Sequence, residues 1–223
     1  PFGDAAPAHA GTDALMTSQA QAAVQGAVVM AKKFPRSQQI ACQRILDACS
    51  RPELAVEALY AYPRGGQTVS GPSIRLAEVV AQNWGNMDFG MVELSQDGGK
   101  SQVMAYAWDL ETNVRSQKIF LTAHTRKARG QTQILTDARD VYEHVANQGS
   151  RRVRACIMAI IPKDVMDAAV RQVNLTMENT MEAPEDELAR MVEAFAKDWG
   201  ISEQQISKRM GKSLKAATRS EVL

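Results

Sequence analysis

Between Met87 and His124 the side chains change character at every second position, and helical patterns close this alternating stretch on both sides. That change of period restricts the chain to folds in which a small antiparallel sheet is inserted between helices. Met87 to Leu94 reads as a strand, and Asp97-Gly98-Gly99-Lys100 has the chemistry of a hairpin loop. Ser101 to Leu110 forms a second strand, with Met104, Tyr106 and Trp108 on one face and Val103, Ala105 and Ala107 on the other. Thr112-Asn113 turns the chain into a third strand, Val114 to His124. Its Ile119, Leu121 and Ala123 oppose Lys118, Phe120, Thr122 and His124.

On the N-terminal side, Gly71-Pro72 opens a helix with apolar Ile74, Leu76, Ala77, Val80 and Trp84, and Gly85 stands at its C′ position. On the C-terminal side, Asp137 to Ile161 reads as a long helix capped by Thr136 or Asp137 and stopped by Pro162. Its buried side would be Val141, Val145, Val153, Cys156, Ile157 and Ile160. Gly149 in its middle costs about 1 kcal/mol of helix propensity relative to Ala. The fold class predicted is therefore α+β, with a three-stranded antiparallel β-meander followed by a long helix, a β-β-β-α core.

The remaining chain is helical in pattern. Residues 1–15 read as a flexible arm, 16–180 as the core and 181–223 as a small acidic helical tail that continues beyond Leu223 in the natural chain. N-terminal helices are expected over Met16 to Lys33, Ser37 to Cys49 and Pro52 to Tyr60. Ser37 would cap the second, whose buried stripe would include Ile40, Ile45 and Leu46. Tyr62-Pro63-Arg64-Gly65-Gly66 reads as a turn, and Thr125 to Thr136 as a polar basic loop. Asp164 to Thr180 is a further helix. The tail has apolar Leu188, Met191, Val192 and Phe195, a Trp199-Gly200 stop and a short helix from Ser202.

Several functions are excluded by missing residues. The 45% hydrophobic and 23% charged composition is that of a globular protein. No apolar run approaches the roughly 20 residues that cross a bilayer. Cys42, Cys49 and Cys156 lack CxxC spacing and read as reduced thiols in a cytoplasmic protein. Gly211-Lys212-Ser213 has Ile206 where a P-loop needs its first glycine. No HExxH, Cys/His cluster or Gly-x-Ser-x-Gly elbow is present, so no metal or cofactor is implied and a binding module is favoured over an enzyme. Asp109 and Glu111 form the one carboxylate pair that a metal-dependent nuclease could use, but acids at a hairpin usually serve the turn.

Net charge is only +1, yet it is unevenly spread. Thr112 to Ala155 carries Arg115, Lys118, Arg126, Lys127, Arg129, Arg139, Arg151, Arg152 and Arg154 against three acids, whereas Glu178 to Glu203 is acidic. A charge run is most often a solvated face. Here the cations are rich in Arg, whose planar fork grips phosphate, and Tyr106 and Trp108 lie on nearby strands as base-stacking platforms, the arrangement that single-strand binders use. Phe120 is the aromatic better suited to core packing against a helix.

These elements, in this order, resemble the annealing-protein superfamily that includes the RecT, Redβ and Erf phage recombinases and a eukaryotic annealing mediator. The resemblance spans about Gly71 to Thr176. It is carried by Asn83-Trp84-Gly85, Tyr106-Ala-Trp-Asp109, Ser116-Gln-Lys-Ile-Phe120 and Gly149-x-Arg151-Arg152, with Phe195-Ala-Lys-Asp-Trp-Gly-Ile-Ser-Glu-Gln-Gln-Ile206 similar to the tail of phage recombinases. It implies ATP-independent binding of single-stranded DNA and of the annealed duplex in a bacterial host, with DNA-backbone contacts at Arg151 and Arg152. Rings or helical filaments of identical subunits are implied too. The acidic tail would dock a phage exonuclease or the host single-strand-binding protein. The basic reading adds Arg64, Arg75, Lys118, Arg126, Lys127, Arg129 and Arg154 as DNA contacts. Three rivals remain: a sequence-specific duplex regulator using a helix-turn-helix-like segment from Ile201 to Ser213, the Asp109/Glu111 nuclease, and a structural phage protein whose arginines bind other subunits.

Overall fold

A computed structural model gives the fold and describes residues 10–64, 66–128, 131–180, 184–211 and 213–214. Among these residues the chain is mixed α+β. In order it runs α1 (Ala10–Lys33), α2 (Gln38–Cys49), α3 (Pro52–Ala58), β1 (Leu59–Arg64), β2 (Gln67–Pro72) and α4 (Ile74–Trp84). The strands β3 (Met87–Asp97), β4 (Lys100–Asp109) and β5 (Val114–Ala123) follow, then the short β6 (Thr125–Ala128) and β7 (Gln131–Ile134). The helices α5 (Ala138–Ile160), α6 (Lys163–Thr180), α7 (Pro184–Trp199) and α8 (Glu203–Met210) complete it. Contacts group the chain into two compact units. The first holds the chain up to Ile45 together with Ala77–Met166, and the second holds Leu46–Leu76 together with the chain from Asp167.

The first unit is built on the meander β3-β4-β5, antiparallel throughout. Gly98 and Gly99 both take positive φ (55° and 71°), which a two-residue hairpin turn requires and which glycine adopts without steric penalty. Asn113, at φ 61°, makes the next turn. Along β4 burial alternates at each residue: Ser101, Val103, Ala105, Ala107 and Asp109 are buried, while Met104, Tyr106 and Trp108 are half-exposed. Residues paired across antiparallel strands share a face, so Phe120 lies with its partner Val103, and Lys118 with Ala105.

Helix α5 covers this small-residue face. Asp137 caps it, its carboxylate accepting the N–H groups of Arg139 and Asp140. Val141 and Val145 join Val103 and Leu135 in one core cluster, against which Met91 and Phe120 pack. The Cys156 thiol reaches the Ala105 carbonyl at 3.6 Å. Gly149 is buried, and a Cβ there would overlap the sulfur of Met91, so the glycine is what lets α5 descend onto β3.

Six features differ from the pattern expected. The helix expected at Met16 already runs from Ala10, inside the stretch read as an arm. The helix expected to reach Tyr60 ends at Ala58, because Leu59 is already extended (φ −119°, ψ 145°). Tyr62, Pro63 and Arg64 are strand residues paired with Val69, Thr68 and Gln67. Pro72 closes β2 rather than opening α4; Ser73 does that, its Oγ accepting the Leu76 N–H at 3.2 Å. The basic loop after His124 is the hairpin β6-β7, in register from Thr125↔Ile134 to Ala128↔Gln131. Ile40, expected in the buried stripe of α2, is exposed, whereas Ile45 is buried.

In the second unit, Ala58 accepts the Ser73 N–H at 2.8 Å, which ties α3 to the chain leaving β2. The Thr176 hydroxyl of α6 donates to the Cys49 carbonyl at 2.9 Å. Ser202 and Gln205 form a capping box at α8, and Gly211 ends that helix at φ 72°.

Candidate nucleic-acid interface

The acids Asp109 and Glu111 are held by Arg36, whose side chain is nearly as buried as that of Asp109 and more so than that of Glu111. Its Nε donates to Glu111 Oε2 at 3.1 Å, as does its backbone N–H at 2.9 Å, and its Nη2 donates to Asp109 Oδ1. Asn86 Nδ2 adds a bond to Glu111 at 2.8 Å, and Asp109 also takes the Glu111 and Thr112 N–H groups of the turn. Burial works to raise the Glu111 pKa, but the Arg36 and Asn86 hydrogen bonds and the Arg36 charge outweigh it, leaving it below the ordinary value. The Arg36 guanidinium also lies 5.1 Å from the Trp84 ring centroid. Among the described residues no three metal-ligating side chains cluster. The pair serves as the lock of the β4-β5 turn, which leaves the nuclease reading without an open carboxylate site.

The sheet separates the arginines and the stacking rings that the sequence reading took together as one arrangement for binding a single strand. On the face away from α5, Tyr106 and Trp108 stand two residues apart on the central strand, and the Arg115 guanidinium lies 5.6 Å from the centroid of each ring. Asn113 accepts the Trp108 Nε1–H at 3.0 Å, and Tyr106 donates to Asp88 at 3.3 Å. Burial first, then the charge of Asp88 and this hydrogen bond, push the Tyr106 phenol above its usual pKa, while Arg115 opposes them. Arg115 was not among the expected DNA contacts. The signal for it was the register, since a meander turning at Asn113 sets Arg115 directly opposite Trp108.

On the α5 face, Arg152 lies with its guanidinium 4.2 Å from the Phe120 ring centroid and donates from Nη1 to the Gln148 carbonyl and side chain. Arg151, the preceding residue, is exposed. Lys118, also exposed, shares the helix-facing side of β5 with Phe120, about 7 Å along the strand. Neither Arg151, Arg152 nor Lys118 is paired with a carboxylate among the described residues. Arg154 is half-buried and already engaged. Arg126 and Lys127 project exposed from β6, and Arg129 lies outside the described residues.

Arg64 and Arg75 belong to the second unit, Arg64 ending β1 and Arg75 standing exposed and engaged in the first turn of α4. That unit has an aromatic pair of its own, of which the sequence reading placed Tyr60 at a helix end and Tyr62 in a turn: the two rings stack with centroids 5.9 Å apart. As for the duplex-regulator reading, α8 and the turn at Gly211 are present, but beyond Ser213 and Leu214 the segment needed as a recognition helix lies outside the described residues.

No family model, curated protein or solved structure matches the chain. Among the described residues no helix is long and apolar enough to cross a membrane.

Proposed function

We propose that this protein binds single-stranded DNA and anneals complementary strands without ATP, as a self-associating phage recombination protein working in the bacterial cytoplasm. The observation that carries the reading is that cations and aromatic rings stand together on both faces of the β4-β5 pair. Arg151, Arg152 and Lys118 accompany Phe120 on one side, and Arg115 accompanies Tyr106 and Trp108 on the other. Cations without carboxylate partners hold phosphates by releasing counterions, with little regard to sequence. Aromatic rings at a surface accept any base by stacking, and the half-exposed Tyr106 and Trp108 would do so by exchanging Arg115 for a base. A strand held by its backbone keeps its bases open to a complement, and pairing then supplies the free energy of annealing. The acidic segment through α7 is the part least suited to DNA and best suited to a protein partner, an exonuclease or single-strand-binding protein.

The test is fluorescence anisotropy with a labelled oligonucleotide of mixed sequence across a salt series, alongside an annealing assay without nucleotide or metal. Each phosphate contact contributes about −0.7 to the slope of log K against log salt, so Arg151→Ala with Arg152→Ala should flatten that slope by about 1.4 and abolish annealing. Undiminished annealing by a folded double variant would remove α5 from the interface. Preference for one duplex sequence, or metal-dependent cleavage, would replace the reading altogether.

A further inference from the structure

Between the sheet and the first turns of α5 lies a pocket of about 670 Å³, a size that takes a metabolite-sized molecule. Val103, Leu135, Val141 and Val145, all buried, make its floor apolar, and the exposed Glu93, Gln96 and Tyr142 stand along its rim. His124 lines the same pocket and is only 6% exposed. Among the described residues it is the one buried polar side chain along the wall.

The hydrogen bond that His124 makes fixes what it can offer a ligand. Its Nε2 lies 2.7 Å from Ser101 Oγ. Ser101 is fully buried and its hydroxyl has this nitrogen alone as a partner among the described residues, so the hydroxyl donates and Nε2 accepts. The opposite arrangement would strand a buried donor, which is costly. In a neutral imidazole the ring proton then sits on Nδ1. Nδ1 has no partner among the described residues and is not sealed from solvent, so its N–H is offered to the pocket. Ser101 itself is out of any ligand's reach, which makes the two side chains a binding pair rather than a nucleophile with its base.

A lone donor in an apolar pocket selects an acceptor carried on an apolar body. Among the described residues no Lys or Arg lines the pocket, and Glu93 lies along it, so the charge of a phosphate or carboxylate would go unbalanced there. We propose that this pocket binds a small, uncharged and largely apolar molecule through a carbonyl oxygen, which accepts from His124 Nδ1 while the floor of Val103, Leu135, Val141 and Val145 covers the rest. The site is independent of the DNA reading, since Lys118, Arg151, Arg152 and the Tyr106–Trp108 face contribute nothing to its wall.

Fluorescence titration with prodan, a neutral ketone on a dimethylaminonaphthalene body, tests it, alongside the same naphthalene without its propionyl group. The wild type should bind the ketone saturably at a single site. Ser101→Ala with His124→Leu removes both members of the buried pair and so strands no polar group; it should weaken the ketone about fivefold, the worth of one hydrogen bond, and leave the carbonyl-free amine unchanged. Ala146→Phe puts a ring into the pocket from α5 and should abolish binding of both probes with unchanged circular dichroism. A wild type that does not bind the ketone, binding undiminished in folded Ala146→Phe, or equal losses of ketone and amine in the double variant would each overturn the proposal. Displacement of the ketone by a thymine oligonucleotide would overturn it too, in favour of an inserted base, while oligonucleotide binding that leaves the ketone in place keeps this outcome separate from the DNA reading.

Discussion

Arg36 shows how much a single side chain can hold in place. It is 7% exposed, and three of its N–H groups reach two carboxylates more than seventy residues away. The acids were visible in the sequence as turn residues, but the cation was not, because nothing local links position 36 to a hairpin formed so much later. The depressed Glu111 pKa makes this lock sensitive to acid. A carboxylate whose pKa is lowered by folding stabilises the fold in full above its ordinary value of 4.5, and that contribution is lost as the pH falls through the lower folded value. The urea midpoint should therefore drop as the pH goes below 4.5, and Glu111→Gln should lessen the drop. Equal drops in both proteins would mean that another group governs acid unfolding.

At the scale of elements, legibility followed burial. Helix α5 and strand β4 could be read because one face of each is buried, which imposes a period on the sequence. Strands β6 and β7 could not, since their described side chains lie mostly in water and polar residues occupy both faces. For the same reason Tyr62-Pro63-Arg64 looked like a turn: its punctuation was legible, its pairing partners were not. Gly149 was read as a weak point of a helix, whereas it is the point of closest approach to Met91. Gly149→Ala should gain about 1 kcal/mol of helix propensity and lose about 1–3 kcal/mol to overpacking, for a net destabilisation. Combined with Met91→Ala the same substitution should turn stabilising. Urea unfolding of the four proteins in the cycle decides it, and a penalty that persists without Met91 would place the clash elsewhere.

For the whole molecule, the two compact units are each assembled from separated stretches of chain. Sequence patterns are local, so the serial division into arm, core and tail was all they could express. The expected joint arrangement of arginines and stacking rings fared likewise. Alternation placed Tyr106 and Trp108 on one face, but only the seating of α5 settled which face that was. Thiol accessibility gives a global readout of this architecture. Cys49 and Cys156 are buried, and burial pushes the Cys49 thiol up to about 11 against a partial pull from Arg51, while Cys42 is half-exposed. A thiol reagent at pH 8 should modify Cys42 alone in the native protein, and the other two only on unfolding. Rapid labelling of a second site without denaturant would mean that one of the units opens readily.

Arg115 resting on Tyr106 and Trp108 has one more implication. The rings are already occupied, by a group that prefers phosphate oxygens to π-electrons. On the DNA-binding proposal, a nucleobase arriving there would evict the guanidinium and leave it beside the incoming backbone, coupling docking and charge neutralisation in a single exchange. Indole emission should register that exchange without any label, vanishing as a signal in Trp108→Phe and persisting in Arg115→Ala with a shallower dependence on salt.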